Sequence, residues 1–347
     1  MDDHAVRNAR SGVEVHTTDY HTAGEPFRIV TAGGPLLPGG TVLDRRAFAQ
    51  GSADAEHVRR LLCHEPRGHA DMYGCFLVPP DDEGAHLGVL FWHKDGYSTA
   101  CGHGTIALGA WAVDTGLVAA PDDGSVDVVV DVPSGRVVAR VTREAGRTTR
   151  VTFRNVASYV VARSVVVPTS RGEVLVDVSC GGAIYASVQA SDLGLTVEPS
   201  DLPGLIELGR EIKWALDGSI VARHPADERL SGIYGTILFD DLGDLPGGPH
   251  QRNVTVFADG EVDRSPCGSG TSARVALLAV EGRLREGQEL VHDSIVGTRF
   301  VARIVERTTA HGIDAVVPEV EGTAYRTGEH VFVLDEDDPV GTGFVLR

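Results

Sequence analysis

The chain has 347 residues, 42% of them hydrophobic and 23% charged, with a formal net charge of −18 at pH 7. That length suits two domains, each able to bury its own core, and the composition is that of an ordinary globular protein. So acidic a balance, offset by no Lys/Arg cluster, repels nucleic acid and anionic membrane surfaces, and neither is expected as a partner.

Residues 1–12 read as a polar, mobile lead without a signal peptide's apolar core, and no later apolar run is long enough to span a bilayer. The cysteines, Cys63, Cys75, Cys101, Cys180 and Cys267, are too scattered for a disulfide framework, and their number is odd. A cytoplasmic protein with reduced thiols is the expectation.

Residues 13–18 alternate as a strand does, and Tyr20-His21-Thr22-Ala23-Gly24-Glu25-Pro26 reads as a turn before apolar residues 27–30. Helical spacing covers 45–62, with Phe48, Val58, Leu61 and Leu62 as core contacts. Residues 71–78 and 87–93 read as buried strands. A loop over 96–105 carries the first cysteine and leads into a helix to about residue 115. Short β-branched runs at 126–132, 137–141, 151–153, 160–167, 173–178 and 183–188 spell a meander of strands. A second-half helix is predicted over 202–216. Strands at 233–239 and 253–257 then lead to the second cysteine loop and a helix from Ser272 to about Glu281. The boundary between the halves is expected near 156–159. Mostly strands with one buried helix per half is an α+β pattern. No G-x-G-x-x-G follows a first strand and no P-loop is present, so a nucleotide cofactor is unsupported.

Two segments say nearly the same thing: Ala100-Cys101-Gly102-His103-Gly104-Thr105 and Pro266-Cys267-Gly268-Ser269-Gly270-Thr271. Each sets a thiol and a short glycine-rich turn directly before an apolar run, at the mouth of a helix. Unpaired N–H groups and the positive end of the dipole there favour a thiolate and can hold an anion. A free thiol titrates near about 8.5, and a helix start lowers that toward neutrality. Gly102, Gly104, Gly268 and Gly270 leave room for N–H groups to converge on a carboxylate, with the thiols on either side of its α-carbon. Opposed thiols can take a proton from one face of a carbon and return one to the other. The chain reads as a proton-transfer enzyme with a duplicated architecture.

Asp263, four residues before Cys267, could hold a substrate ammonium, or it could cap its turn or pair with Arg264. His103 could hydrogen-bond the substrate or only orient its loop. Cys63, Cys75 and Cys180 read as small buried hydrophobes. Cys63-His64, His69-Ala70-Asp71 and His93 lack metal-ligand spacing and read as solvated or core side chains, so no metal is expected. Neither cysteine carries a protease signature, and two equivalent thiol loops have no role in that chemistry.

With these residues in hand, the chain resembles the proline racemase family, which includes hydroxyproline 2-epimerases and trans-3-hydroxy-L-proline dehydratases. The likeness runs from about residue 13 to the C-terminus. It passes through His21-Thr22-Ala23-Gly24-Glu25-Pro26, Glu65-Pro66-Arg67-Gly68-His69-Ala70-Asp71-Met72-Tyr73-Gly74, Cys101-Gly102-His103 and Asp263-Arg264-Ser265-Pro266-Cys267-Gly268-Ser269-Gly270. The resemblance implies the diaminopimelate epimerase fold: α+β, two pseudo-symmetric halves, each a curved sheet around a central helix, closing over substrate. The halves would be 1–156 and 157–323, with the C-terminal strands in 324–347 able to pack back on the first. It implies no cofactor and no metal, with Cys101 and Cys267 as acid/base thiols. Backbone around Gly102, His103, Gly268, Ser269 and Gly270 would hold the carboxylate, with His103 and Asp263 near the ring nitrogen. The implied partner is a small imino acid, proline or hydroxyproline, and a homodimer stays open.

Within the family, Leu87-Gly88-Val89-Leu90-Phe91, Gly96-Tyr97-Ser98-Thr99 and residues 335–346 look most like the dehydratases. Those enzymes typically carry threonine where this chain has Cys267. A dehydratase needs one base for the α-proton and then loses the 3-hydroxyl. Inversion needs a reprotonating acid on the opposite face, where a threonine hydroxyl is far poorer than a thiol. Cys267 thus favours a racemase or 2-epimerase of the 4-hydroxyproline type. The alternative is a trans-3-hydroxy-L-proline dehydratase giving Δ1-pyrroline-2-carboxylate. A two-lobed imino-acid binder without turnover is a third reading, and retention of both thiols argues against it.

Overall fold

The computed structural model describes residues 13–346, so the lead expected at 1–12 lies outside the described residues. Strands and helices succeed one another twice in the same order. A hairpin of Glu14–Thr22 and Glu25–Ala32 comes first, and its second strand pairs in parallel with Gly74–Val78. A parallel pair needs a crossover, which here carries α1 (Val42–Gly51) and α2 (Ala53–Cys63). Gly74–Val78 then turns antiparallel to Leu87–His93, and a second crossover, α3 (Gly102–Asp114), leads to the parallel strand Gly124–Val132.

The later half repeats the plan. Ser158–Thr169, Gly172–Cys180 and Ile184–Gln189 pair antiparallel. A crossover through α4 (Leu202–Leu216) leads to Ile233–Leu245, parallel to Ile184–Gln189. Gly248–Phe257 returns antiparallel, and α5 (Gly268–Val280) crosses to the parallel strand Glu289–Ser294. Each half is thus a curved sheet around a central helix, the α+β arrangement of the diaminopimelate epimerase type. Strand Ile313–Gly322 joins the two, pairing with both Arg147–Arg154 and Ser158–Thr169. Ala324–Val333 lies antiparallel on Glu14–Thr22.

In both halves the second crossover is the helix that follows a cysteine. α3 is buried from Gly102 to Val113 and α5 from Gly268 to Leu278. Buried all round, they carry no polar stripe. α3 packs on Gly135–Glu144 and Arg147–Arg154, and α5 packs on Ser158–Thr169 and Ile313–Gly322. These rigid cores fix where the two helix starts point.

Several local expectations need correction. The single helix over 45–62 is two, because Ser52 is extended (φ −93°, ψ 117°). Its N–H closes α1 on the Ala49 carbonyl while its side chain caps α2 by accepting from the Ala55 N–H. Phe48 consequently lies on an outer face, 44% exposed, whereas Val58, Leu61 and Leu62 are buried. The strand expected from residue 71 begins only at Gly74, since Asp71 bonds instead to the loop before Cys267. The helix expected from Ser272 starts at Gly268. Among the described residues no helix is long and apolar enough to cross a membrane.

Candidate active site

Cys101 and Cys267 are the N-cap residues of α3 and α5, and both line one cavity with about 220 Å³ of unfilled space. The two helices meet tip to tip. Each thiol stands over the glycine three residues on: a Cβ on Gly104 would lie 2.8 Å from the Cys101 sulfur, closer than side chains come, and one on Gly270 would press on the Cys267 sulfur at 3.0 Å. The Gly104 N–H donates to the Cys101 sulfur (3.2 Å), whereas the Cys267 side chain makes no cap hydrogen bond, the nearby Gly270 N–H only favouring its thiolate. The Gly104 N–H is therefore engaged by its own thiol. The N–H groups at Gly102, His103, Gly268, Ser269 and Gly270 remain to hold an anion.

The two caps are not identical. Cys101 is extended at φ −155°, whereas Cys267 has φ 61° and ψ 102°, a left-handed conformation that is strained for a residue with a side chain. The loop around it is well supported. Ser265 Oγ accepts the Cys267 N–H, and the Pro266 carbonyl accepts from both Asn253 and Thr271.

His103 and Asp263 also reach the cavity. Both ring nitrogens of His103 lie 3.5 Å from the Cys101 sulfur, and Nδ1 lies 3.6 Å from Asp263 Oδ2. Thr22, from the turn motif near the N-terminus, fixes His103 by donating to its carbonyl. Asp263 does hold its turn, as its Oδ1 accepts from the N–H and hydroxyl of Ser265, but its Oδ2 faces His103. It does not need Arg264, whose guanidinium goes to Asp71 and whose N–H goes to Glu25. The two long N-terminal motifs thus clasp the Cys267 loop from the opposite half. Ser269 lines the cavity and bonds the Tyr185 hydroxyl at 2.7 Å.

The thiols are buried, Cys101 being 4% and Cys267 5% exposed, not at solvent-reachable loops. Burial pushes both thiols up from their ordinary value. The neighbouring Asp263 charge adds to this, against the N–H groups of Gly104 and Gly270. The lowering expected from the helix starts is overturned because lost hydration outweighs the dipole. Cys63, Cys75 and Cys180 are buried away from this cavity, as read.

Tyr73, Tyr185, Tyr234 and Phe257 complete the wall, and none was singled out from sequence as a site residue. Buried aromatics in strands carry the same local signal as core. His93, Asp95 and Glu261 bring ligand-type atoms within 4.8 Å of one another. The Lys94 ammonium already supplies positive charge there, 2.5 Å from Asp95 and 3.9 Å from Glu261.

Known proteins resemble the chain over nearly its whole length. A Bacillus cereus protein named trans-3-hydroxy-L-proline dehydratase is 41% identical over 334 residues, covering 96% of this chain and 98% of its own. A 3-hydroxyproline 2-epimerase from Burkholderia multivorans is 44% identical over 336 residues, covering 95% and 98%. The crystal structure of a hydroxyproline epimerase from Agrobacterium vitis with bound trans-4-hydroxy-L-proline superimposes with a TM-score of 0.89 at 30% identity, covering 97% of each chain. The model of the family described as proline racemase matches residues 17–345. Duplicated halves, paired cysteine caps and whole-length similarity lead to one assignment: the chain belongs to the proline racemase family.

Proposed function

We propose that this chain is a cofactor-independent racemase or 2-epimerase that inverts the α-carbon of proline or hydroxyproline through Cys101 and Cys267. The observation that carries the reading is the pairing of two thiols at equivalent helix caps lining one cavity. The substrate carboxylate lies across the touching helix tips, held by N–H groups of Gly102, His103, Gly268, Ser269 and Gly270. The cationic ring nitrogen lies toward Asp263 and His103. Its charge offsets the Asp263 carboxylate that holds the thiols up, so binding itself favours a thiolate. That thiolate removes the α-proton, and the thiol on the other face delivers its own proton to the carbanion. Product leaves with the thiol and thiolate roles exchanged.

The second reading is the dehydratase, favoured by the likeness to the Bacillus cereus trans-3-hydroxy-L-proline dehydratase. There one thiolate takes the α-proton of trans-3-hydroxy-L-proline, the 3-hydroxyl leaves with a proton as water, and the enamine becomes Δ1-pyrroline-2-carboxylate. On either reading the thiols must stay reduced, and all five cysteines are free, which supports a cytoplasmic setting. We take residues 1–156 and 157–323 as the two halves.

Incubation with proline and its 3- and 4-hydroxy isomers in deuterium oxide tests the proposal. Exchange at the α-carbon with inversion is expected. Loss of the ring hydroxyl without inversion selects the dehydratase, and absence of exchange leaves only a binding protein.

A further inference from the structure

The two thiols are supported differently. Cys101 takes the Gly104 N–H on its sulfur at 3.2 Å, with both His103 ring nitrogens at 3.5 Å, and the Tyr73 hydroxyl also favours its thiolate. Cys267, with its left-handed backbone, makes no cap hydrogen bond. Its sulfur instead meets the Tyr185 hydroxyl at 3.8 Å. The hydroxyls of Tyr185 and Thr255 both favour its thiolate against the Asp263 charge. Tyr185 lies in strand Ile184–Gln189, is wholly buried, and meets the Tyr234 ring edge-on at 5.6 Å. Its hydroxyl also bonds Ser269 Oγ at 2.7 Å. Cys267 Sγ, Tyr185 Oη and Ser269 Oγ thus form a short line drawn entirely from the second half, so it does not depend on contact with the first.

Each hydroxyl carries one proton and two lone pairs, so this line can be ordered in two directions. With a thiolate at Cys267, Ser269 donates to Tyr185 and Tyr185 donates to the sulfur. With a thiol there, the Tyr185 proton turns to Ser269, whose own proton is freed toward the cavity it lines. No proton changes its heavy atom; only the O–H bonds rotate. A sulfur that takes and gives the α-proton in turn is served by support of this reversible kind, whereas a fixed N–H favours the thiolate alone. We propose that Tyr185 is a further catalytic residue, its hydroxyl donating to Cys267 as a thiolate and to Ser269 when Cys267 is a thiol. The proposal rests on the two-thiol reading and adds the donor that serves one of the thiols. The titratable groups at the cavity beside Cys267 are Tyr185 and Tyr234 from the second half, Asp263 from its own loop, and Tyr73, Cys101 and His103 from the first half. Burial pushes the Tyr185 hydroxyl up from its ordinary value, which keeps it protonated and able to donate.

The test is the pH profile of alkylation of each cysteine by iodoacetamide, read by mass spectrometry in wild type, Tyr185→Phe and Tyr234→Phe. Tyr185→Phe keeps the ring against Tyr234 and removes only the hydroxyl. Its Cys267 is expected to react about tenfold more slowly at a given pH, a shift of about one pH unit, the scale of one lost hydrogen bond to a charged sulfur. The Cys101 profile should stay in place. Tyr234→Phe removes a wall hydroxyl that is not on the sulfur and should leave the Cys267 profile unmoved. kcat/KM for α-proton exchange should fall about tenfold in Tyr185→Phe at neutral pH and recover as the pH is raised, which a loss of folded protein would not do. A Cys267 profile unchanged in Tyr185→Phe, one that moves together with that of Cys101, or one that Tyr234→Phe moves as far, overturns the proposal while leaving the two-thiol reading intact. Wild type that exchanges no α-proton on proline or its hydroxylated forms overturns the two-thiol reading itself, whatever the labelling shows, and Tyr185 then has no catalytic role.

Discussion

Gly102 and Gly268 stand backbone to backbone: a Cβ on Gly102 would lie 2.5 Å from the Gly268 Cα, and one on Gly268 would lie 2.6 Å from the Gly102 Cα. Each is the first helical residue after a cysteine cap. The partial positive ends of two helices, each equivalent to about half a charge, therefore converge on one point. Only the absence of both side chains permits this. An anion at the seam meets both dipoles at once, which a single helix start cannot offer.

Gly102→Ala should accordingly push the two helix tips apart, since the methyl would meet backbone that has no rotamer to escape into. Overpacking of this kind costs about 1–3 kcal/mol and lowers Tm by several degrees. Displacing two reacting thiols by a fraction of an ångström should reduce kcat/KM by about a hundredfold or more. Gly51→Ala, where a Cβ meets nothing within 4 Å, is the control and should leave both quantities near wild type. Steady-state kinetics and thermal melts check this, and Gly102→Ala turning over like Gly51→Ala would show that the helix tips need not touch.

Because burial raises both thiols, the reactive thiolate is scarce at neutral pH before substrate binds. The base is the ionised form, so kcat/KM, which reports the free enzyme, should climb with pH past the ordinary thiol value of about 8.5. kcat should rise less steeply, since the bound cationic nitrogen offsets Asp263. Stability runs the other way. The unfolded thiols ionise first, so their contribution is full below about pH 8.5 and falls above it by about 1.4 kcal/mol per pH unit per thiol. Cys101→Ser and Cys267→Ser should each abolish inversion, and each should flatten the alkaline loss of stability. A kcat/KM plateau reached below pH 8 would contradict the buried-thiol reading.

Much of the site was legible because its signal is local. The two cysteine–glycine turns are six-residue strings, and each string contains the cap, the glycine under the sulfur and the start of the helix. α4 was likewise legible from its spacing and spans Leu202–Leu216 as read. What escaped depends on depth or on partners far along the chain. A helix start is visible in sequence, but the packing that raises Cys101 and Cys267 is not. Tyr185 and Tyr234 come from strands whose residues alternate like any core strand, and only the closure of the two halves brings them to the thiols. The break at Ser52 lay inside a run whose apolar spacing continues across it, and the serine's double capping role outweighed that spacing.

His292 gives the acid limit of this fold. It is fully buried beneath the Cys267 loop, with Nδ1 2.8 Å from Thr271 Oγ1 and Nε2 2.6 Å from Asn253 Nδ2. Burial lowers it to about 3, and burial lowers His93 to about 3 as well. An unfolded histidine titrates near about 6.5, so between these values the unfolded chain binds more protons than the folded one. Stability from each group is therefore full above about pH 6.5 and falls on acidification by about 1.4 kcal/mol per pH unit. His292→Gln should be less stable than wild type at pH 7, yet lose stability more slowly between pH 6 and pH 4. Urea denaturation across that range reads the slope. Equal slopes would mean that His292 is already charged in the folded protein.

Cys267→Thr addresses the choice between inversion and elimination at the one residue where it turns. The backbone there has φ 61°, a conformation that β-branched side chains adopt only under strain, so the variant should be less stable than Cys267→Ser by about 1 kcal/mol or more. Chemically, the change removes the acid that reprotonates the α-carbon, and a threonine hydroxyl is too weak to replace it. Cys101, with His103 beside it and the Gly104 N–H on its sulfur, is untouched and still generates the carbanion. With trans-3-hydroxy-L-proline that carbanion has a β-hydroxyl to expel, and elimination no longer competes with rapid reprotonation. Inversion should therefore fall at least a thousandfold, about the scale of a lost general acid, while dehydration of the 3-hydroxy substrate persists or rises. Chiral chromatography together with a chromogenic assay for the cyclic imine follows both activities in one sample. Should wild type dehydrate that substrate efficiently and never invert it, Cys267 is not the reprotonating acid, and the dehydratase reading takes the place of the epimerase.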